Sequence, residues 1–569
     1  MIAQTEHELT GYPSVDKPWL KYYDKALTEE DIPKCSAFRM LYERNKDYLT
    51  DTALLYFHKK MTYKMLFQKI EKAAAALAAL GIGKGDIVTL QTLNMPQTVI
   101  LFYALSYIGA VANSIFVTEG EEELHDILLT TESKMYITMD SFWSSHRNAV
   151  LGTDVTHVLL LQVAQEADTV TKIVLSVKRK SPNAECLTWN TFLAFGNKKA
   201  DEVNDSSLPM AMVYTGGTTG KSKAVVLSSK NLNALVMQYE HTYVGLKRGG
   251  VFMNSLPTFI AFGIVCSMHM PLCLGIVNII VADPTPMNSG KYFAKYKPNY
   301  FVNGIAGIES IINHPKVRKM KLDFIKVLAA GGEPVPVSLE EKTNHFLREH
   351  QSNARLCIGY GMTEVASTVV TSSPRADRMG TVGIPLPETV VKIVEPETTR
   401  ELTYDVEGEI CFHTPTMMLG YYKEEEETKN IIKLHPDGML WVHSGDIGRI
   451  SRDGFLVVVG RIKRIISIRK DGIYHKVFSK LIEETLGKAD GVEGIVIVGR
   501  EKPAIEHELV AFVVKNSQRE EEEVKCQLQK YAQKNMETWE RPIEYRFVEN
   551  FPRTDVGKIN YRKLEEMAK

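Results

Sequence analysis

The chain has 569 residues, beyond the roughly 250–300 at which a single hydrophobic core stops growing, so two or more domains are expected. Its 44% hydrophobic and 24% charged residues are ordinary for a globular protein. Lys plus Arg (68) balances Asp plus Glu (69), a net charge of -1, and this leaves no broad field to steer nucleic acid or an anionic membrane.

In chain order, residues 1–50 are polar and aromatic with weak patterning, an irregular lead-in with short helices. The start, MIAQTEHELTGYP, lacks a basic stretch followed by an apolar one, so no signal peptide is expected. Residues 62–80 carry Leu66, Ile70, Ala73, Leu77 and Leu80 at helical spacing, and Gly81 stops them. A buried strand follows at 86–93, a helix at 97–112, a strand at 113–117, a helix at 124–130 and a strand at 135–139. Such alternation predicts a doubly wound, mostly parallel sheet. The apolar run 260–282 is long enough to span a bilayer. It contains Ser267, His269, Pro271 and Asn278, however, and reads as a buried helix followed by a buried strand.

From Thr389 the texture changes to short β-like runs with Gly and Asp turns, predicting a small antiparallel β subdomain over 389–460. Beyond Arg461, strands near 494–498 and 509–514 and a helix over 520–533 predict a smaller α+β unit. The expected division is a domain of 1–462 and a mobile C-terminal domain of 463–569, hinged at Lys463. Seven cysteines (Cys35, Cys186, Cys266, Cys273, Cys357, Cys411 and Cys526) are scattered, with no CxxC pair or Cys/His cluster in sequence. They read as small buried hydrophobes in a reducing compartment, and a cytoplasmic location is expected.

The chemistry begins at residues 214–224, Tyr214-Thr215-Gly216-Gly217-Thr218-Thr219-Gly220-Lys221-Ser222-Lys223-Ala224. Glycines let backbone N–H groups turn inward around an anion, while Thr hydroxyls and lysines add donors and charge. A Walker-type loop needs four residues between its first Gly and the Gly-Lys pair. Thr215 stands where that Gly should be, so the Gly-Lys-Ser at 220–222 is a near miss. A plain structural turn is the other alternative.

The segment resembles the signature Tyr-Thr-Ser-Gly-Thr-Thr-Gly-x-Pro-Lys-Gly of the adenylate-forming superfamily, which includes acyl-CoA synthetases, peptide-synthetase adenylation domains and luciferases. Gly216, Ser222 and Ala224 depart from it, and Lys223 matches its lysine. Further stretches resemble the family's motifs in the family's order. Ala330-Gly331-Gly332-Glu333-Pro334 is similar to the loop against which adenine lies. Gly359-Tyr360-Gly361-Met362-Thr363-Glu364 is similar to its Tyr-Gly-x-Thr-Glu motif. Trp441-Val442-His443-Ser444-Gly445-Asp446 carries Ser444 where that family has Thr. Gly460-Arg461-Ile462-Lys463 is similar to the hinge motif, and Pro552 to Ile559 to the terminal motif.

The resemblance implies roles. Tyr360 would stack on adenine, Thr363 would contact phosphate, Glu364 would hold Mg²⁺, Asp446 would accept from the ribose hydroxyls, Arg461 would contact ribose or phosphate, and Lys558 would be the catalytic lysine. It implies ATP, Mg²⁺ and coenzyme A as cofactors and co-substrate. The reaction it implies is acyl-adenylate formation from a carboxylic acid, with pyrophosphate released, then transfer to coenzyme A.

An acid pocket is expected around Phe259, Ile260, Phe262, Asn303 and Gly304, whose apolar character favours a fatty or aryl acid. Ile260 stands where many acyl- and aryl-CoA ligases of the family carry His. It also supplies no charge for an α-amino group. Lys470 replaces the Gly expected nine residues past Arg461, and the stretch 476–483 departs from the usual Pro-Glu pattern. A carrier protein's phosphopantetheine thiol is therefore the alternative acceptor, and a nucleotide binder without catalysis the alternative of another class.

Overall fold

The structure is a computed structural model and describes residues 9–176, 186–215, 222–242, 245–283, 285–470, 473–502, 506–553 and 559–569. Two large sheets, both mostly parallel, form the body. One runs, edge to edge, through Gly420–Tyr421, Ala224–Ser228, Pro209–Tyr214, Val111–Ser114, Ile87–Gln91, Met135–Met139, His157–Leu161 and Leu187–Thr188. Its pairings are parallel except at the first two strands, which turn antiparallel. The other sheet has the parallel strands Val327–Gly331, Tyr300–Asn303, Val251–Asn254, Val277–Ile280 and Thr52–Tyr56 at its centre. Leu356–Met362 continues it in parallel, and Ser367–Thr371 turns antiparallel beyond.

The helices between these sheets follow from sequence. Helix Tyr63–Ala79 is started by Thr62, whose hydroxyl accepts from the Met65 N–H, and it buries Leu66, Ile70, Ala73 and Leu77. Helix Pro96–Ile108 is buried on every side and ends at Gly109, whose φ of 72° is the left-handed conformation that favours glycine. With helix Ser229–Glu240 they join both sheets in one core.

The run 260–282 is π-helical over Phe262–His269, then α-helical over Met270–Cys273, then the strand Val277–Ile280. The wider π-turn coincides with a backbone contact: a Cβ on Gly263 would lie 1.8 Å from the Pro257 carbonyl oxygen. Among the described residues no helix is long and apolar enough to cross a membrane.

The β-rich stretch forms its own antiparallel sheet of Val390–Val394, Gly408–His413, Leu440–Ile450 and Ile432–Leu434, with Leu456–Arg461 paired to Leu440–Ile450. Past Arg461 come the hairpin Ile465–Lys470 and Ile473–Phe478, then a three-stranded sheet of Val492–Lys502, Glu506–Lys515 and Glu544–Phe547. Helices Ser479–Leu486 and Glu521–Asn535 pack on that sheet's core, and Tyr561–Ala568 on its other face. The architecture is the α/β fold with a small antiparallel subdomain that the sequence predicts.

Candidate active site

Three groups of residues surround one region at the carboxyl ends of the parallel strands. The first is the hairpin of Pro209–Tyr214 and Ala224–Ser228, with Tyr214 opposite Ala224. At its neck the Thr215 N–H donates to the Lys223 carbonyl at 3.0 Å, and the Ser222 hydroxyl donates to the Thr215 carbonyl at 2.6 Å. A Walker loop leads from a strand into a helix; here strand returns to strand. Gly216, Gly217, Thr218, Thr219 and Gly220 lie outside the described residues.

Lys223 pairs with Glu427, and its ammonium sits 5.1 Å over the Tyr421 ring. The Tyr421 hydroxyl donates to Glu364 Oε1 at 2.6 Å. Both Tyr421 and Glu364 are 7% exposed. Burial first, then the Glu364 charge, push the Tyr421 phenol far above its ordinary range. Glu364 lies on the short turn Thr363–Val365, whose half-buried Thr363 leads out of the strand Leu356–Met362. The Glu364 carbonyl accepts from the Met418 N–H at 2.8 Å, so the β-rich stretch helps to hold this turn.

The second group stands on neighbouring strands. Gly331 pairs with Gly359, and a Cβ on Gly331 would lie 2.9 Å from the Gly359 carbonyl oxygen. Gly332 has φ of 85° and open space where a side chain would be, so the turn presents bare backbone. Glu333 Oε1 accepts from the Ile305 N–H at 3.0 Å, a carboxylate at the start of helix Ile305–Asn313. Asn303 accepts from the Gly304 N–H at 2.8 Å and donates to the Ser255 hydroxyl at 3.0 Å.

The third group links two sheets. The Tyr360 hydroxyl donates to Asp446 Oδ2 at 2.6 Å, and Arg461 Nε meets Asp446 Oδ1 at 2.7 Å. Asp446 is 5% exposed and its N–H donates to the Ser444 hydroxyl. Burial first, then the Asp446 charge, raise the Tyr360 phenol well above its usual value. Gly361 follows where only glycine fits: a Cβ there would lie 1.7 Å from the Ser367 carbonyl oxygen.

The backbone of Lys463 lies in the turn Ile462–Arg464, directly after the strand that ends at Arg461. Lys558 lies outside the described residues. Its flanks do not: Arg553 bridges Ile559, and the Asn560 N–H donates to the Pro552 carbonyl at 2.7 Å. Tyr561 lies 3.7 Å beneath the Arg464 guanidinium, and burial, joined by the charges of Glu483 and Glu333, raises its phenol against the opposing pull of Arg464.

A narrow apolar cavity opens among these strands, lined by Tyr239, Phe252, Phe262, Tyr300, Val302 and Ala329. Ala330 and Gly359 also face it, so it borders the glycine-rich turn. Of the five residues expected to form an acid pocket, Phe262 lines it. Phe259 packs edge-on against Phe116 at 5.5 Å, Ile260 joins the same cluster, and Asn303 and Gly304 stand beside Glu333. Sequence reasoning missed Tyr239, Phe252 and Tyr300, because they come from separate elements and read as ordinary core. The signal was an inward aromatic on each of three buried segments.

The sequence matches the family model described as AMP-binding enzyme over residues 41–422. It matches that of the AMP-binding enzyme C-terminal domain over residues 481–558. The chain belongs to the AMP-binding enzyme family. The enzyme is similar to a long-chain-fatty-acid–CoA ligase of Bacillus subtilis, 26% identical over 97% of this chain and 98% of that protein. It is 27% identical to the ligase of the same name from Salmonella typhimurium, again over 97% and 98%. A 4-coumarate–CoA ligase of Humulus lupulus is 26% identical over 88% of this chain and 87% of that one. Among solved structures, the enzyme has the fold of an anthranilate CoA ligase in complex with anthranoyl-AMP (TM-score 0.81, 20% identity, 95% of this chain and 99% of that). ATP-bound MatB from Rhodopseudomonas palustris is similar too (TM-score 0.79, 20% identity, 94% and 99%).

Proposed function

We propose that this enzyme joins a carboxylic acid to AMP, releasing pyrophosphate, and then transfers the acyl group to the thiol of coenzyme A. The observation that carries the reading is the adjacency of two features. A Tyr360–Asp446–Arg461 network centred on the buried Asp446 and a bare glycine turn, suited to a nucleoside, border a narrow cavity whose apolar lining favours an apolar acid. The relatives named as CoA ligases of long-chain fatty acids and 4-coumarate support coenzyme A as acceptor and an apolar acid as substrate.

In this reading the acid's carboxylate oxygen attacks the α-phosphorus of ATP, and the bond to the pyrophosphate oxygen breaks. Gly331 and Gly332 admit the flat base, and the Tyr360 ring faces it. Asp446 takes up the ribose hydroxyls in place of part of its present network. Thr215, Lys223, Thr363 and the loop between 215 and 222 bind the phosphates, and Lys558 offsets charge on the transferring group. Glu364 fits a Mg²⁺ site, because one oxygen is fixed by Tyr421 and the other has no protein donor among the described residues. Bound there, the ion would neutralise phosphate charge. We assign residues 1–462 to the adenylation domain and 463–569 to a mobile domain. Turning about Lys463 would withdraw Lys558 and admit the thiol.

The test is acid-dependent pyrophosphate release across fatty, aryl and amino acids, with and without coenzyme A. Release with fatty or aryl acids and thioester formation with coenzyme A are expected. Ala329→Phe, which fills the cavity, should lower kcat/KM for the preferred acid about tenfold or more, a loss of roughly 1.4 kcal/mol in transition-state binding. Activity confined to amino acids, or ADP as product, refutes the reading.

A further inference from the structure

The antiparallel subdomain holds a second cluster of chemically able groups, on the side of its sheet away from its own apolar core. Cys411, on the strand Gly408–His413, pairs in register with His443 on Leu440–Ile450. His435 follows the short strand Ile432–Leu434 and opens the turn that joins it to Leu440–Ile450, its carbonyl accepting from the Gly438 N–H at 3.0 Å. One donor atom from each of Cys411, His435 and His443 lies within 4.8 Å of the others. Their exposures are 0%, 3% and 3%, and Cys411 is a free thiol. None of them belongs to the nucleotide or acid site described above.

We propose that Cys411, His435 and His443 form a binding site for a thiophilic transition-metal dication of the zinc type. The chemistry of the donors is the first reason. One thiolate and two imidazoles are the set that zinc and its neighbours prefer, and three protein ligands leave a fourth position for solvent. The second is geometry. An ion about 2.0–2.3 Å from each donor sets pairs of donors roughly 3.3–3.7 Å apart. The Nε2 atoms of His435 and His443 stand 2.9 Å apart, so separation by a few tenths of an ångström makes room.

The third reason is the surroundings. His443 Nδ1 faces Glu409 Oε2 at 2.9 Å, the carboxylate–histidine arrangement that fixes a ligand's tautomer and turns its other nitrogen to a metal. Glu409 is itself held by the Gly445 N–H at 3.1 Å. His435 Nδ1 is buried with no hydrogen-bond partner among the described residues, so the histidine pair alone does not satisfy this pocket.

Charge also fits. The groups facing the cluster are Glu409, Asp437, Lys392 and, more remotely, Lys433. Lys392 is buried and paired with Asp437. A dication with a thiolate brings one net positive charge, which the Glu409 carboxylate offsets. Binding releases one proton, that of the Cys411 thiol, as the sulfur–metal bond forms. The site rests on the subdomain alone and does not depend on the proposed ligase activity.

The experiment titrates chelator-treated full-length protein with Co²⁺. One equivalent is expected to bind, with a thiolate-to-cobalt charge-transfer band, release of one proton and a higher melting temperature. Cys411→Ala should abolish the band, while the exposed-cysteine variant Cys526→Ala keeps it. His435→Asn, on the turn beside the strands, should weaken binding tenfold or more and serves if Cys411→Ala does not fold. No band in wild type, a band that survives Cys411→Ala, or unchanged affinity in His435→Asn overturns the proposal.

Discussion

Replacing Tyr421 with Phe removes one hydroxyl and keeps the ring under the Lys223 ammonium, 5.1 Å away, so the change isolates the 2.6 Å hydrogen bond to Glu364. A hydrogen bond to a charged acceptor contributes about 1.5–3 kcal/mol. With both partners 7% exposed, water replaces little of it. In the proposed reaction Glu364 acts where the phosphates lie, and its position is set by Tyr421 and by the turn at Thr363. At about 1.36 kcal/mol per tenfold, losing the full hydrogen bond in the transition state lowers the rate roughly 10–150-fold. The assay is acid-dependent pyrophosphate release over a Mg²⁺ series, beside urea unfolding of both proteins. The expected result is a slower rate at saturating acid and a steeper demand for Mg²⁺. A variant with wild-type rate and wild-type Mg²⁺ dependence, whatever its stability, refutes a positioning role for Tyr421.

Two more predictions follow from packing and burial. Gly361→Ala drives a Cβ to 1.7 Å from the Ser367 carbonyl oxygen, so backbone must move. A stability loss on the order of 4 kcal/mol is expected, read from urea unfolding, and a melting temperature equal to wild type would contradict it. His269 is fully buried between Tyr103 and Asn233, and burial depresses its pKa from 6.5 to about 3. Between those values the unfolded chain takes up a proton that the folded chain refuses, so stability falls as pH drops below about 6.5. His435 acts in the same direction. Between pH 7 and pH 5, His269→Gln should lose about 2 kcal/mol less than wild type; an equal loss would exclude His269 as a source of the pH dependence.

What the sequence revealed followed from local physics. The helix Tyr63–Ala79 and the strand Met135–Met139 were legible because their apolar spacing and stop signals are contained within the segment. The strand Val111–Ser114 begins earlier than the pattern suggested, because the turn at Gly109 ends the helix without a loop. Strands Thr52–Tyr56 and Lys59–Thr62 escaped notice, since the second is an edge strand carrying lysines and has little apolar alternation. Residues in contiguous motifs, such as Tyr360, Glu364, Asp446 and Arg461, could be named from order alone. The aromatic cavity wall and the Cys411–His435–His443 cluster could not, because each is assembled by strand register and turn path rather than by spacing along the chain.

The two-residue strand Gly420–Tyr421 pairs with Val225 and Val226, giving the hairpin that carries the loop at 215–223 its outer neighbour. Until residue 421 has been synthesised, the strand Ala224–Ser228 is therefore a bare sheet edge. That edge is apolar, carrying Val225, Val226 and Leu227, and it waits for nearly 200 residues of further synthesis, the distance in sequence from 226 to 420. A nascent chain halted between these points would present an adhesive ribbon to its neighbours. Truncations ending between Met362 and Gly420 are thus expected to aggregate even though every strand of the parallel core is already present. The late strand acts as a cover whose absence a quality-control chaperone would sense.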